Sequence, residues 1–545
     1  MDPFSGVAAV DEGDQRRSVL CHRQRTRWGD FFVGELAGLD GPGVYSLEAA
    51  DGISLPFEVG TGVHDRILDG YLDYTRAQRS AEEQPGVSGP LFLDDAKQDV
   101  DGAQVLAVGG WYDAGDHRQW TSTTALHLGA LAAIAVEGPH AWRERARAEV
   151  NWGRDYFLHL VGDGGQVPDN VGGGALPPGF DLGTWWFENH SGTASDGSGS
   201  LPTDDLPSSG DERTVMMHRN PHAENVLVRE LAASCPVGPD AQAARSRIVA
   251  ERVWRRSAAL PPESRTLFLA SRLRAAAALL RLPRPIVSQK DVLELAEVLL
   301  RRQHVSADTE PGLSGYFMEE SDVDAFRSIP YSCEPAHALL DASEVLDGEA
   351  QDRASRAVAA YIDAYLLADA ESNPFGLPPY GVYLDPEDDR RQVFRAAGGG
   401  RGVRTFMAPW NRDLIVHGNS AVTMHQCHLL ARAGVVAQRP DWTRAAERIL
   451  HWATGANPEG LSLFMDIGYR HPVPFSPRRP NMPGAVVNGH IGRGNDTPYL
   501  ETSNAVSWNT QEVYGVPAAY AAHAALWLNR AGTAPQHTTR SKDAS

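Results

Sequence analysis

Two aspartates three residues apart, Asp113 and Asp116, stand in the stretch GGWYDAGDHRQW at 109–120, with only Ala114 and Gly115 between them. In a tight turn or a first helical turn both carboxyls can face one small volume, and the small residues between them let the backbone come close. One carboxylate can then take a proton from a water that the other holds in place. Trp111, Tyr112 and Trp120 add flat apolar faces of the kind that stack on sugar rings. Paired acids with aromatics suggest carbohydrate chemistry. The same residues also suit a structural place, with Asp113 and Asp116 capping the helix expected from TSTTALHLGALAAIAV at 121–136 and Trp111 in the core. On residue types alone the two readings weigh evenly.

The stretch as a whole resembles the catalytic-base signature of the family 9 glycoside hydrolases, a cellulase family with an (α/α)6 barrel, which reads GGWYDAGDH followed by a basic residue and an aromatic. The resemblance implies an inverting hydrolysis with Asp116 as general base and Asp113 as its water-holding neighbour. A second resemblance covers 452–492. There Gly455, Asn457, Pro458, Gly460, Ser462 and Gly468 keep the family's "GxNPxgxSyvxGxG" segment, and Pro483, Gly484 and Gly489 keep its later "pGalvgG" turn. Between them the pattern departs: Ser476 and Pro477 stand where the family has histidines, while Arg478 keeps the arginine. In the family this block touches the substrate beside the bond being cleaved, so the departure leaves the sugar open.

The family's general acid is a glutamate in an Asn-Glu-Val block opening the last helix. Glu512, followed by Val513, keeps the Glu-Val pair and is assigned the acid, with Glu501 the alternative. Such an acid needs a raised pKa, which burial against Trp508, Val513 or Tyr514 would provide. Without the resemblance Glu512 reads as an acid complementing a helix N-terminus.

These residues need elements to hold them. Short β-type runs at 43–49 and 54–60, joined by Asp51-Gly52, predict a hairpin, and the same stretch resembles the end of the immunoglobulin-like module that precedes many family 9 barrels. Residues 11–27 are charged and carry no strand pattern, so the opening strands are expected to be missing or replaced. From Val63 apolar residues recur at helical spacing, and alanine- and leucine-rich helices follow with few strand signals after residue 60. The expected fold is an all-α (α/α)6 barrel, a six-hairpin toroid, over 63–530, behind a truncated β segment at 1–62 and before a disordered polar tail at 531–545. Residues 161–222 are long, irregular and rich in Gly, Pro, Ser and Asp. Within them Trp185 and Trp186 either wall a sugar cleft or anchor the loop to the barrel. His417, just before the expected caps Asn419 and Ser420, either faces the cleft or is satisfied by backbone.

At 545 residues, 42% hydrophobic and 22% charged, the chain can bury a large core. Its formal net charge of −20 argues against nucleic acid or an anionic membrane as partner and favours a neutral or weakly charged carbohydrate. No apolar run is long enough to span a bilayer, and no signal peptide follows Met1; as given the chain reads as cytoplasmic, or as secreted if the true start lies upstream. The four cysteines are scattered singly, as buried free thiols would be. Histidines such as His218 and His222 lack an HExxH arrangement, so neither a metal hydrolase nor any cofactor is read. The competing classes are a binding protein that keeps the cleft without catalysis and an exo-acting glycosidase on a non-cellulosic sugar. Retention of both aspartates speaks against the first.

Overall fold

The computed structural model describes residues 3–533, except 12–14, 27, 35, 37–38, 40, 50–51, 84–91, 94–95, 173–212, 239, 307–311, 322, 385–391, 410–416, 476–481 and 504–506. Among the described residues, twelve long helices alternate between an outer and an inner ring. The outer helices are α1 (Asp65–Ala77), α3 (His140–Leu160), α5 (Asp240–Ala258), α7 (Gln289–Leu300), α9 (Gly348–Tyr361) and α11 (Pro440–Ala453). The inner helices are α2 (Thr121–Glu137), α4 (Pro221–Ser234), α6 (Thr266–Leu280), α8 (Glu334–Ser343), α10 (Ser420–Val436) and α12 (Gly515–Thr533). Each inner helix packs on the next and α12 closes back on α2, which makes the (α/α)6 barrel.

Burial separates the two rings as their sequences require. Outer α1 buries Ile67, Leu68, Tyr71, Leu72, Tyr74 and Thr75, and α11 buries Trp442, Ala445, Ala446, Ile449 and Leu450, each set a single stripe at helical period. Inner α10 is buried without a break from Ser420 to Gly434. A helix covered on all sides needs no polar face, and the alanines of α6 and α12 let neighbouring helices come close. Two of the helix starts are chemically marked. Ser288 and Asp291 form a reciprocal capping box on α7, and Asn220 caps α4 ahead of Pro221.

In front of the barrel the strands β1 (Pro3–Asp11), β2 (Arg16–Thr26), β3 (Gly29–Gly34), β4 (Gly43–Ala49), β5 (Gly52–Ile53) and β6 (Phe57–Val59) form one antiparallel sheet. Its order is β3-β2-β1-β4-β5, with β6 also on β4. The charged stretch expected to lack strands therefore contains β2, paired on both sides. The strand was hidden because only Val19 and Cys21 turn inward while the residues around them face solvent, too few apolar positions to set a period of two. The sheet meets the barrel through Trp28, whose indole N–H donates to the Asp496 carbonyl at 3.2 Å and whose ring lies edge-on to Phe375.

Short strands also cross the loops of the barrel, where the sequence carries few strand signals. Lys97–Gln98, Thr214–Met216, Asn170–Gly172 and Gln119–Trp120 pair in that order, so the end of the paired-aspartate loop is one edge of a four-stranded sheet. The last helix runs to Thr533, into the stretch expected as tail. Of the four unpaired cysteines, Cys21, Cys333 and Cys427 are buried and Cys235 is half-buried. No helix among the described residues is long and apolar enough to cross a membrane.

Candidate active site

The loop that carries Asp113 and Asp116 is tied down at its root before it reaches the acids. Trp111 is fully buried and its indole N–H donates to Glu149 at 3.2 Å, while Arg79 grips the same carboxylate through two nitrogens at 2.9 Å. Gly110 has a φ of +70° and a side chain there would meet Gln119 Nε2 at 2.8 Å, so this turn requires glycine. Gln119 donates to the Gly109 carbonyl at 2.7 Å, and the Asp113 N–H donates to the Arg118 carbonyl at 2.7 Å, closing the turn between the two ends. Arg213 holds it from outside, donating to the His117 carbonyl and to Gln119 Oε1, both at 2.6 Å.

Four hundred residues later the chain returns to this loop. A short helical turn, Trp508–Gln511, ends at Glu512, which is extended rather than helical. The link from Glu512 to the start of α12 runs alongside the loop. Ala114 bridges Tyr514, and the Gly515 N–H donates to the Asp113 carbonyl at 2.8 Å. A side chain on Gly515 would lie 2.5 Å from His127 Nε2 and 3.0 Å from the Asp113 carbonyl, so the glycine lets the closing helix start here. On its other edge the link pairs with 486–488, within the second family-like segment.

The result is three carboxyls in one place. Asp113 is 7% exposed, Glu512 is 4% exposed, and Asp116 is half-buried with one oxygen 3.4 Å from the Arg118 N–H. Burial and the neighbouring Asp116 push Asp113 up to about 8, against the pull of the Thr123 hydroxyl and of Arg118. Burial, then Asp116 and Asp113, push Glu512 well above the usual carboxylate range, and the Gly115 N–H offsets only part of this. Asp113 Oδ1 and Glu512 Oε1 are buried and accept no hydrogen bond among the described residues. At neutral pH two of the three carboxyls therefore carry protons, an arrangement able to give a proton on one side and take one on the other.

The other sequence-predicted residues divide. Trp120 lines a cleft of about 410 Å³ that adjoins the acids through Thr123 and Tyr514. His417 sits edge-on to Tyr514 and Trp508, beside the Glu512 link, with its Nδ1 3.1 Å from the Gly418 carbonyl. Trp111 and Tyr112, expected to stack on sugar, are 0% and 2% exposed. Both pack under the loop: Trp111 is bonded to Glu149, and Tyr112 lies 4.6 Å from the His117 ring. Glu501 is engaged by the Tyr499 hydroxyl at 2.8 Å and by Ser503, and these bonds, Ser503 first, hold it down at about 2. It is thus ionised, unlike Glu512. Trp185, Trp186 and Arg478 lie outside the described residues.

Sequence reasoning missed much of the cleft wall. Tyr331, whose hydroxyl donates to Ser122 at 3.0 Å, faces His222 with ring centroids 4.0 Å apart, and Arg265 and Phe268 complete the opposite side. The signal available was positional: these residues stand at or just before the starts of inner helices, whose N-terminal ends gather at the cleft.

Comparison with known proteins agrees with this fold. Residues 65–246 match the family model described as glycosyl hydrolase family 9. Endoglucanase 16 of Arabidopsis thaliana is 32% identical over 106 residues, 18% of this chain and 22% of that protein, so the match spans about a fifth of the relative's length. A metagenome-derived glycoside hydrolase family 9 endoglucanase superposes with a TM-score of 0.66 at 18% identity, covering 96% of this chain and 92% of the other. A thermostable endoglucanase variant from Alicyclobacillus acidocaldarius gives a TM-score of 0.67 at 17% identity, covering 97% and 95%. The loop at 109–120 lies inside the region that matches the family model, and the barrel fold is shared with family 9 endoglucanases over nearly the whole length of the chain.

Proposed function

We propose that the protein hydrolyses a β-linked glucan, or a related β-linked oligosaccharide, with inversion at the anomeric carbon. The observation that carries this reading is the group of three carboxyls, two buried and held protonated and one half-open, beside a cleft with an aromatic wall. Asp116, the most exposed of the three, takes the proton of the attacking water. Asp113 fixes that water by hydrogen bonding. Glu512 gives its proton to the departing glycosidic oxygen, a transfer favoured by the burial that keeps it protonated. Balance is complete within one turnover: water adds across the C–O bond, Asp116 gains a proton, Glu512 loses one, and solvent restores both.

The names of the similar proteins, which are endoglucanases, favour β-1,4-glucan among the β-glycans. The altered block at Ser476 and Pro477 favours a narrower or different sugar, and an exo-acting glycosidase on a non-cellulosic oligosaccharide is the second reading. We take 63–530 as the catalytic domain and the N-terminal sheet as a truncated immunoglobulin-like segment without a catalytic group. The deciding experiment is proton NMR of the first product from a panel of β-linked oligosaccharides. The α-anomer appearing first supports the mechanism; the β-anomer first would mean retention and remove it.

A further inference from the structure

His222 has its backbone fixed by the cap of α4 and its ring fixed by Tyr331. Its N–H donates to Asn220 Oδ1 at 3.1 Å, and the Asn220 amide is itself anchored on Asp169 at 2.6 Å. The ring lies 4.0 Å from the Tyr331 ring, which is held in turn by Ser122. The residue is 3% exposed, yet neither Nδ1 nor Nε2 has a hydrogen-bond partner among the described residues. Buried polar atoms are nearly always paired, so two empty nitrogens on one rigid ring need a reason. Several histidines inside the barrel also have unpaired nitrogens, His337 both of them, but among them His222 is the one that lines the cleft. The other cleft histidine, His218, is already engaged by Asp169 at 3.0 Å.

We propose that His222 is a substrate-binding residue of this cleft, its imidazole supplying one donor and one acceptor to hydroxyls of the sugar unit seated against Trp120 and Tyr331. The assignment rests on the glycosidase reading above and adds to it a residue that selects the sugar. Burial, reinforced by Arg229 and Arg274 against the opposing pull of Glu334, lowers its pKa to about 4 and keeps the ring neutral. A neutral imidazole offers one N–H and one lone pair, which suits a hydroxyl able to give as well as accept. The nitrogens are unpaired in the free protein and become paired in the complex. A sugar lacking the matching hydroxyl leaves them unpaired and is rejected.

The test is calorimetric binding of β-linked oligosaccharides and their monodeoxy analogues to Asp116→Asn, with and without His222→Phe. Phenylalanine keeps the ring on Tyr331 and removes both nitrogens. The parent sugar should bind about tenfold more weakly after the change, and the penalty for one particular deoxy analogue should vanish. His222→Asn, which keeps a donor and an acceptor, should restore part of the affinity and serves in place of the phenylalanine variant if that one does not fold. Unchanged affinity in both folded variants, with the deoxy penalties intact, would overturn the His222 assignment alone. Failure of every sugar to bind Asp116→Asn, together with no hydrolysis by the native enzyme, would overturn the glycosidase reading and the assignment with it.

Discussion

Two clusters of buried ionisable groups lie in the same barrel and meet the cost of burial in opposite ways. At the cleft, Asp113 and Glu512 face a third acid, and Arg118 is too weak a counter to hold Asp113 ionised. Inside the inner ring, Arg229 donates to Glu334 at 3.0 Å, Arg274 bridges Glu334 and Asp341 at 2.8 Å each, and Arg432 donates to Asp341 at 2.6 Å. Burial alone would raise these acids too. Instead Arg274 and Arg229 hold Glu334 down at about 2, and Arg432 and Arg274 hold Asp341 lower still. Glu334 and Asp341 are spent on holding α4, α6, α8 and α10 in one ring, whereas the cleft acids are left with protons to move. What separates structure from chemistry here is the partner of each carboxyl, since burial is common to both.

The largest effects should fall on turnover and come from the cleft. Asp116→Asn removes the base and is expected to lower kcat by about 10²–10⁴-fold, with folding and sugar binding retained. Glu512→Gln should lose a similar factor on natural glycosides and far less on aryl glycosides, whose leaving group needs little protonation. Glu512→Gln should not lower the thermal midpoint, because the amide replaces a carboxyl that burial already keeps neutral. Near-native turnover in Asp116→Asn would remove the functional half of the comparison.

The same kind of change in the interior should do the reverse. Glu334→Gln leaves Arg229 and Arg274 each short of a charge in a site 1% exposed, and breaking buried pairs in this way costs about 3–5 kcal/mol. Chemical denaturation would read the loss, while kcat per folded molecule stays close to native. A stable Glu334→Gln protein with damaged turnover would mean that the two clusters have been assigned the wrong way round.

The cleft cluster was legible in the sequence and the interior cluster was not, for reasons of spacing. Asp113 and Asp116 sit inside twelve residues with the glycines that bend the loop around them, so their meeting is local. Glu512 is almost four hundred residues away and is reached only through a Glu-Val pair and its place at the start of the last helix. Glu334 and its arginines are single charges in alanine-rich helices, where nothing in a 3.6-residue period tells a buried arginine from one at the surface. The barrel itself was readable from the succession of helices. Trp111 stays open in the sequence because an indole beside catalytic residues has the same composition whether it stacks on a sugar or roots a loop; Gly153, against which the Trp111 ring is pressed, is the counterpart that decides it. His222 lacks a metal-binding spacing and gives no other signal in the sequence, because its place depends on a cap that only the folded helix shows.

A third expectation uses pH to separate the clusters. Buried histidines of the barrel are depressed by burial: His127, His425 and His523 to about 3, His222 to about 4, and His337 and His428 further. Between those values and 6.5 the unfolded chain binds more protons than the folded one, so stability should be lost as pH falls through this window. Asp113 is raised from 3.8 to about 8, so there the folded protein binds more protons, and stability should be lost as pH rises towards 8. Above 6.5 the histidine slope is gone, and that of the raised acids, Asp113 with Glu512, remains. Asp113→Asn should make the decline between pH 6.5 and 8 shallower and, because the opposing slope of Asp113 begins near 3.8, make the loss on the acid side steeper, as denaturation midpoints across pH would show. An unchanged alkaline slope would mean that Asp113 is not held protonated in the fold.

The smallest expected effect comes from the residue that stands between the clusters. Tyr331 feels both Asp113 and Glu334, and its hydroxyl donates to Ser122. If the comparison is right, it separates them without linking them. The shift at Asp113 arises from burial, Asp116, Thr123 and Arg118, and that at Glu334 from burial, two arginines and two histidines, so neither depends on the phenol. Tyr331→Phe removes one hydrogen bond and should cost about 1 kcal/mol of stability. The phenyl ring can still pack on His222. The pH at which activity falls on the alkaline side should stay where it is in the native enzyme, since Asp113 and Glu512 keep every group that shifts them. A displaced alkaline limb in Tyr331→Phe would show that the phenol carries coupling between the two clusters, and the cleft and the interior would then have to be treated as one titrating network.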